Sequence, residues 1–228
     1  MKTYYKKYYI ISVVIVMNIY RPILGELIKE ENLQLSIEKF RQEGITIENK
    51  SICMLEEIDL NCEEIEFEKC IFKDCRISGS FEKAVFHDIV FDHCDFSNCL
   101  FREGSFIRVE IKNCKMIGCD FSDSRFYHTS SLETSYEYAN FFNTNLEETI
   151  FDKCDLTESI FSESKIKNVY YENCKLVQAQ FFKTSLNGVD LSTCKISGIL
   201  TRIEDIKGLI VNNFQAIELS NLLGIIIK

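Results

Sequence analysis

The chain has 228 residues, 46% apolar and 27% charged, a globular composition long enough for one sizeable core or two small ones. Its formal net charge of -9 leaves no basic footprint for DNA phosphate, which argues against direct nucleic-acid binding. It has one proline and no tryptophan but 18 phenylalanines and 11 cysteines, a bias that favours a regular interior.

Residues 1–21 form a basic and apolar leader. Its lysines precede an apolar run from Tyr8 to Met17, which is similar to the apolar region of a signal peptide but too short to span a bilayer as a helix. No A-x-A-like cleavage site follows, and Met17 would itself serve as a start residue. Two interpretations stay open. An over-long start predicts a cytoplasmic protein with no membrane contact, whereas a true signal or anchor predicts an exported or membrane-associated one.

Residues 22–48 follow no simple period. The stretch ENLQLSIEKFRQEGITI fits an amphipathic helix or edge strands. We therefore predict an irregular N-terminal cap for this segment.

Residues 49–205 contain a repeat of five. From Phe81 to Ile196 every fifth residue is large and apolar except Ser131, and the residue two positions earlier in each unit is small or of modest size. A shifted register, seen at Phe67 and Phe72, extends the pattern upstream. Neither a helix nor a strand keeps a period of five in register over this length, so the chain must turn once per unit. One large and one small inward side chain per unit describe a narrow coil with a packed interior.

The cysteines follow the same repeat. Cys94 and Cys99 are five residues apart among polar neighbours, and Cys114 and Cys119 repeat that offset, but elsewhere Ala, Thr or Val fills the same position. A zinc site would need C-x(2–4)-C pairs that converge with further ligands. We therefore predict that the cysteines pack inside the coil, with no metal, cofactor or disulfide.

No catalytic constellation is present in the sequence. His87, His93 and His128 occupy outward positions of the repeat, where we expect solvated side chains. No phosphate-binding glycine loop occurs, and the inward Ser and Thr are explained by packing. The sequence predicts a binding protein, not an enzyme.

Acidic side chains dominate two stretches. One runs from Glu43 to Glu68, and the other lies between Phe126 and Ser164, where Lys153 is the only base. The eight acids of the second stretch are Glu133, Glu137, Glu147, Glu148, Asp152, Asp155, Glu158 and Glu163. Solubility of the solenoid is one explanation for them, and recognition of a basic partner is the other.

Residues 206–228 form a C-terminal cap. We predict a strand near Leu209 to Val211 and then a helix from about Asn213 to Leu223, with Asn212 or Asn213 as N-cap and Gly224 as the stop. Phe214, Ile217 and Leu222, with Leu223 beside them, would close the last coil. The final IIIK would form a short apolar strand that needs a second surface to cover it. The predicted dimerisation residues are Phe214, Ile217, Leu222, Leu223, Ile225 and Ile226.

The units CDFSN, CDFSD, ANFFN, TNLEE, CDLTE and VDLST resemble the consensus of the pentapeptide-repeat family. That resemblance implies an all-β fold, a right-handed quadrilateral parallel β-helix of four units per coil, closed here by a short C-terminal helix. The tail IKGLIVNNFQAIELSNLLGIIIK is similar to that of the Qnr-like members of the family. In those members the tail forms the homodimer.

The Qnr-like resemblance also implies a function. Members of that group mimic duplex DNA and bind the type II topoisomerases DNA gyrase and topoisomerase IV, which they protect from quinolones. The eight acids would then be the partner-binding surface. No insertion interrupts the repeat between Phe81 and Ile196, whereas some members carry loops there. The alternative is a structural or protein-interaction solenoid with no topoisomerase link.

Overall fold

The computed structural model describes residues 19–225. The predictions for residues 1–18, for Ile226 and for the strand of the final residues therefore fall outside the described residues. The chain forms a solenoid of about seven turns made mostly of parallel strands, as predicted.

Ten strands form one sheet in which every pair is parallel, and β4 and β7 form a second, two-stranded sheet. The strands are β1 (Ile28–Lys29), β2 (Ile47–Glu48), β3 (Lys50–Cys53), β4 (Glu56–Asn61), β5 (Glu66–Glu68), β6 (Ile71–Lys73), β7 (Arg76–Ser80), β8 (Val85–Asp92), β9 (Ser105–Lys112), β10 (Arg125–Leu132), β11 (Asn145–Asp152) and β12 (Lys165–Glu172). From β8 onward each strand pairs with the strand 20 residues later, so one coil is four units of five.

The solenoid has four sides, and we number them by the large inward residue. Side one holds Phe101, Phe121, Phe141, Phe161 and Phe181; side two holds Phe106, Phe126 and Leu146; side three holds Ile111, Ser131 and Phe151; side four holds Met116, Tyr136 and Leu156. The chain turns at the residue two positions after each of these, where φ is commonly positive even without glycine.

The interior is a set of aromatic stacks with small side chains between them. The ring of Phe141 lies 4.9 Å from that of Phe121 and 4.6 Å from that of Phe161. Ser131, the one lapse in the large column, is buried and its hydroxyl is hydrogen-bonded to the Tyr136 hydroxyl at 2.8 Å. The serine therefore keeps its place because a neighbouring side supplies a polar partner.

The shifted register upstream is accommodated at Gly79. The offset between paired strands is 19 residues here, since Phe67 pairs with Phe86. Gly79 has φ of 141°, and a Cβ on it would lie 2.1 Å from the Leu60 carbonyl oxygen. Only glycine allows this backbone approach.

The N-terminal cap contains a regular helix, α1 (Leu33–Glu43). The sequence left helix and edge strands open for this segment. Asn32 decides for the helix because its side chain accepts a hydrogen bond from the Leu35 N–H, and Gly44 ends it in the left-handed region. Leu33 and Ile37 are buried in the main core.

The segment before α1 lies on the outside of the solenoid. We call residues 19–23 the strap, because they run along the corner between sides two and three. Ile19 packs against Ile150 and Tyr170, whereas the Ile23 N–H donates to Asp88 Oδ1 at 3.0 Å. The strap therefore crosses several coils and runs toward the N-terminal end of the solenoid.

The C-terminal end is closed by α2 (Asn213–Ser220) and a short 3-10 helix, Asn221–Leu223. Asn212 is the N-cap and Gly224 adopts φ of 69°, as predicted. The predicted strand near Leu209 to Val211 is wrong, because only Ile210 forms a single bridge, with Asp190.

The predicted packing of α2 is also wrong. Phe214 and Ile217 point away from the last coil and are exposed, and the buried side chain of α2 is Gln215. The Gln215 amide nitrogen donates to the carbonyls of Leu191 and Cys194 at 2.8 and 2.7 Å. The last coil ends in backbone carbonyls without a following coil, so a buried amide caps it better than an apolar side chain.

Candidate partner-binding surface

The eight predicted acids surround the solenoid instead of sharing one side. Glu147 and Glu148 lie on side two, and the remaining acids are divided among the other three sides. Side three holds Glu133 and Asp152, side four holds Glu137, Asp155 and Glu158, and side one holds Glu163. This dispersal follows from the repeat, because consecutive units face directions about a quarter turn apart.

Seven of the eight belong to two consecutive coils, residues 119–158, which we call the acidic band. The band carries nine acidic and two basic side chains, a net charge of -7 with histidine neutral. The next two coils, residues 159–198, carry three acidic and five basic side chains, a net charge of +2. Glu163 lies in this second region.

Half of the eight acids form ion pairs with a lysine 20 residues later, one coil further on. The pairs are Glu133 with Lys153, Glu147 with Lys167, Asp155 with Lys175 and Glu163 with Lys183. These lysines are largely exposed, so the pairs are screened and weak. They nevertheless hold part of the charge of the band close to the surface.

The other four acids have no ion pair among residues 19–225. Glu137 accepts a hydrogen bond from Ser135, and Glu148 accepts one from Asn168. Asp152 has a raised pKa because it is partly buried, with Glu133 adding to the effect and Lys153 opposing it. By contrast, burial alone would raise the pKa of Asp155, but hydrogen bonds from Lys175 and Thr157 outweigh it and lower that pKa.

The prediction of three solvated histidines is wrong for His128. His87 and His93 remain partly exposed, with His93 Nδ1 2.7 Å from Asp92 Oδ1. His128 is 8% exposed because the strap covers it, and the Tyr20 ring lies edge-on 4.6 Å from the imidazole. Desolvation lowers the His128 pKa below its usual 6.5.

The strap is the element that the sequence interpretation missed. It buries outward positions that the repeat would leave in solvent: Asp88, Glu110, His128, Ser130 and Ile150. The apolar Ile150 at an outward position was the signal that could have indicated a cover.

The predicted dimerisation residues that the structure describes form an exposed apolar end. Phe214 is 81% exposed, and Ile217, Leu223 and Ile225 are also exposed, with Leu222 half-buried. Leu219, in the same helix, packs against the main core instead. The tail thus presents one apolar surface away from the solenoid.

The cysteines are free thiols, and all but Cys53 are buried. The Cys119 thiol donates to the Phe96 carbonyl at 3.0 Å, and burial raises its pKa. Between residues 19 and 225, no group of three or more His, Cys, Asp or Glu side chains is placed to hold a metal ion. Over the same residues, no helix has both the length and the apolar character needed to cross a membrane.

The five-residue repeat, the four-sided coil and the stacked interior define the structural class of the chain, a repeat solenoid. A family model for pentapeptide repeats matches eight copies in residues 84–123 and 139–170. These two stretches of the chain are therefore pentapeptide repeats.

The chain is also similar to two individual pentapeptide repeat proteins. It is 30% identical over 132 residues to the quinolone resistance pentapeptide repeat protein QnrB96 of Scandinavium goeteborgense, which covers 54% of this chain and 61% of that protein. It is 31% identical over 85 residues to the pentapeptide repeat protein QnrB4 of Escherichia coli, 35% of this chain and 40% of that one. The chain is thus similar to Qnr-named pentapeptide repeat proteins, and the matches span less than two thirds of the length of either relative.

A solved structure is also similar. It is a trypsin-treated form of QnrB1, described as a plasmid-mediated fluoroquinolone resistance protein. The TM-score is 0.48 at 22% identity, covering 81% of this chain and 94% of that one.

Proposed function

We propose that this protein binds a type II topoisomerase, DNA gyrase or topoisomerase IV, as a mimic of duplex DNA and thereby protects the enzyme from quinolones. The acidic band is the surface that carries the binding. The likeness to QnrB96, whose name records quinolone resistance, supports this proposal, and the charge density of the band is the observation that carries it. The role is binding and needs no catalytic group.

The charge density of the band matches that of DNA. Two coils at the strand spacing span about 9.6 Å of axis, so a net charge of -7 gives about one charge per 1.4 Å. Duplex DNA carries about one charge per 1.7 Å of axis. Counting Lys167 and Lys175, which reach back to Glu147 and Asp155, lowers the band to about one charge per 1.9 Å.

The following coils do not share this density, because residues 159–198 are net positive. The mimicry is therefore local, about three base pairs long at roughly 3.4 Å per pair. A basic surface that normally holds DNA would engage the band from more than one side, since its acids face all four directions.

The test is a gyrase supercoiling assay with and without a fluoroquinolone. We expect the protein to restore supercoiling in the presence of the drug. The variant Glu137→Gln with Glu158→Gln, which removes two unpaired acids of the band, should protect several-fold less well. The matched control is Glu172→Gln with Glu204→Gln, which removes the same charge outside the band and should protect as the unmodified protein does. Equal loss in both variants, or no protection at any concentration, rejects the proposal.

We also propose a homodimer through residues 206–228. The exposed side chains of Phe214, Ile217, Leu223 and Ile225 support it, because a contiguous apolar end of this kind is stabilised by burial against a second copy. A dimer would double the length of the rod and present two acidic bands. Light scattering should give a dimer for the unmodified chain and a monomer for Phe214→Asp with Ile217→Asp. A monomeric unmodified chain would exclude this interface.

A further inference from the structure

The strap occupies a groove along the corner between sides two and three. Beneath it, Ser130 and Ile150 are buried, whereas Asp190, at the same position of a later coil, is partly exposed. His128 is buried, whereas Asn168, two coils later, is exposed. The groove is thus a surface that becomes buried only where the strap lies on it.

The strap contacts two acidic groups of the groove. The Arg21 guanidinium lies 3.9 Å from the Glu110 carboxylate, whose side chain is nearly buried and which Lys112 also pairs with at 2.6 Å. The backbone N–H of Ile23 donates to Asp88, which Arg108 also holds through two hydrogen bonds of 2.7 Å. A basic side chain and backbone N–H groups are the contacts that a basic protein segment would offer to the same carboxylates.

The strap leaves two of its larger side chains partly in solvent. Ile19 is buried against Ile150, but Tyr20 and Ile23 remain 43% and 59% exposed. A segment with so little buried apolar surface opens at a small free-energy cost compared with the coils beneath it. Two coils of the groove, at His128 and Ile150, belong to the acidic band.

We propose that this groove is a second contact surface for the topoisomerase, and that the strap occupies it in cis as a competitor of a basic segment of that enzyme. This inference rests on the proposed function. The strap and the enzyme compete for Glu110 and the neighbouring corner, so the protein binds more tightly once the strap has left. If the open form is about a tenth of the population, full release strengthens apparent binding by about tenfold.

The test uses the full chain and a reporter that the sequence makes possible. Because the protein has no tryptophan, Tyr20→Trp introduces a single tryptophan above His128, which can be excited selectively. In this background Arg21→Glu places a carboxylate opposite Glu110 and should release the strap. The swap Arg21→Glu with Glu110→Arg restores opposite charges and should close it again. Lys195→Glu, an exposed site on side four outside the acidic band, makes the same charge change away from the strap.

Two measurements are made on each variant. Acrylamide quenching of the tryptophan should rise in Arg21→Glu and return to its starting value in the swap. Binding to gyrase holoenzyme at low salt should tighten up to tenfold in Arg21→Glu relative to Lys195→Glu, and return in the swap.

Unchanged quenching in Arg21→Glu overturns the inference, since the Arg21 contact would then not hold the strap. Increased quenching with the affinity of the Lys195→Glu control overturns it as well, because the released strap would not have been a competitor. If no variant binds any topoisomerase while quenching still changes, the proposed function has failed and the competition fails with it.

Discussion

The acidic band and the two coils that follow it have the same interior and different exteriors. In both, the phenylalanine rings of side one stack at about one coil spacing. The ring centroids of Phe141 and Phe161 are 4.6 Å apart, and those of Phe161 and Phe181 are 5.1 Å apart. Outside, nine acids against two bases give way to three acids against five bases. Because only two of the five positions in each unit point inward, the fold leaves the outer surface free to vary. Fold and charge are therefore separable, and each can be changed without the other.

The largest expected effect comes from the shared interior. Phe141→Ala and Phe181→Ala should each lower the free energy of unfolding by about 3–5 kcal/mol, because each empties a fully buried ring site. Their neighbours Phe142 and Phe182 are each 39% exposed, and alanine there should cost far less. Chemical denaturation followed by circular dichroism measures all four. A large difference between the two interior sites would show that the coils are not equivalent inside.

The second-largest effect on stability is expected at the C-terminal end of the solenoid, where α2 covers the last coil. Gln215→Ala should destabilise the protein by about 1–3 kcal/mol, since the Cys194 carbonyl loses its donor and the Leu191 carbonyl keeps only the Cys194 N–H. Glu218→Ala, on the exposed part of the same helix, is the control. Equal and small effects in the two variants would mean that α2 does not cap the last coil through its amide.

The pH dependence of the unfolding free energy should distinguish the corner of the band that the strap covers from the uncovered corner of the coils that follow. The His128 pKa is lowered in the folded protein by desolvation, with Arg108 adding to the effect and Glu148 and Glu147 opposing it. The unfolded chain therefore takes up the proton first. The stability contribution of neutral His128 is fully present above pH 6.5 and is lost as the pH falls through the folded-state pKa. His128→Gln should flatten the dependence of unfolding free energy on pH in this window, and an unchanged profile would contradict the burial under Tyr20.

The smallest effect is expected from the coil-to-coil lysines. Lys153→Gln in the band and Lys183→Gln after it each break one exposed ion pair, so neither should shift the denaturation midpoint measurably. Lys153→Gln adds one net negative charge to the band and should strengthen protection of gyrase, whereas Lys183→Gln should leave it unchanged. A loss of protection on removing Lys153 would contradict the charge-density argument.

The repeat was predictable because one physical constraint, filling a narrow coil, acts on every fifth residue independently of the rest of the chain. The lysine partners could also be found from the sequence, since Glu147 and Lys167 are one 20-residue coil apart. The strap and the orientation of α2 could not be predicted from the sequence, because they depend on how individual side chains pack against the surface of the folded solenoid. The apolar side chains of Phe214 and Ile217 predicted contact with the coil, but the Leu191 and Cys194 carbonyls of the last coil favoured Gln215.

The claim that the acidic band mimics DNA is tested most directly by the salt dependence of binding to gyrase holoenzyme. A plot of log affinity against log salt should fall linearly, as it does when charges on a DNA-binding surface are engaged. The slope should become shallower in Glu137→Gln with Glu158→Gln, and remain unchanged in Glu172→Gln with Glu204→Gln. Binding that does not depend on salt, or an equal change of slope in both variants, would contradict the account.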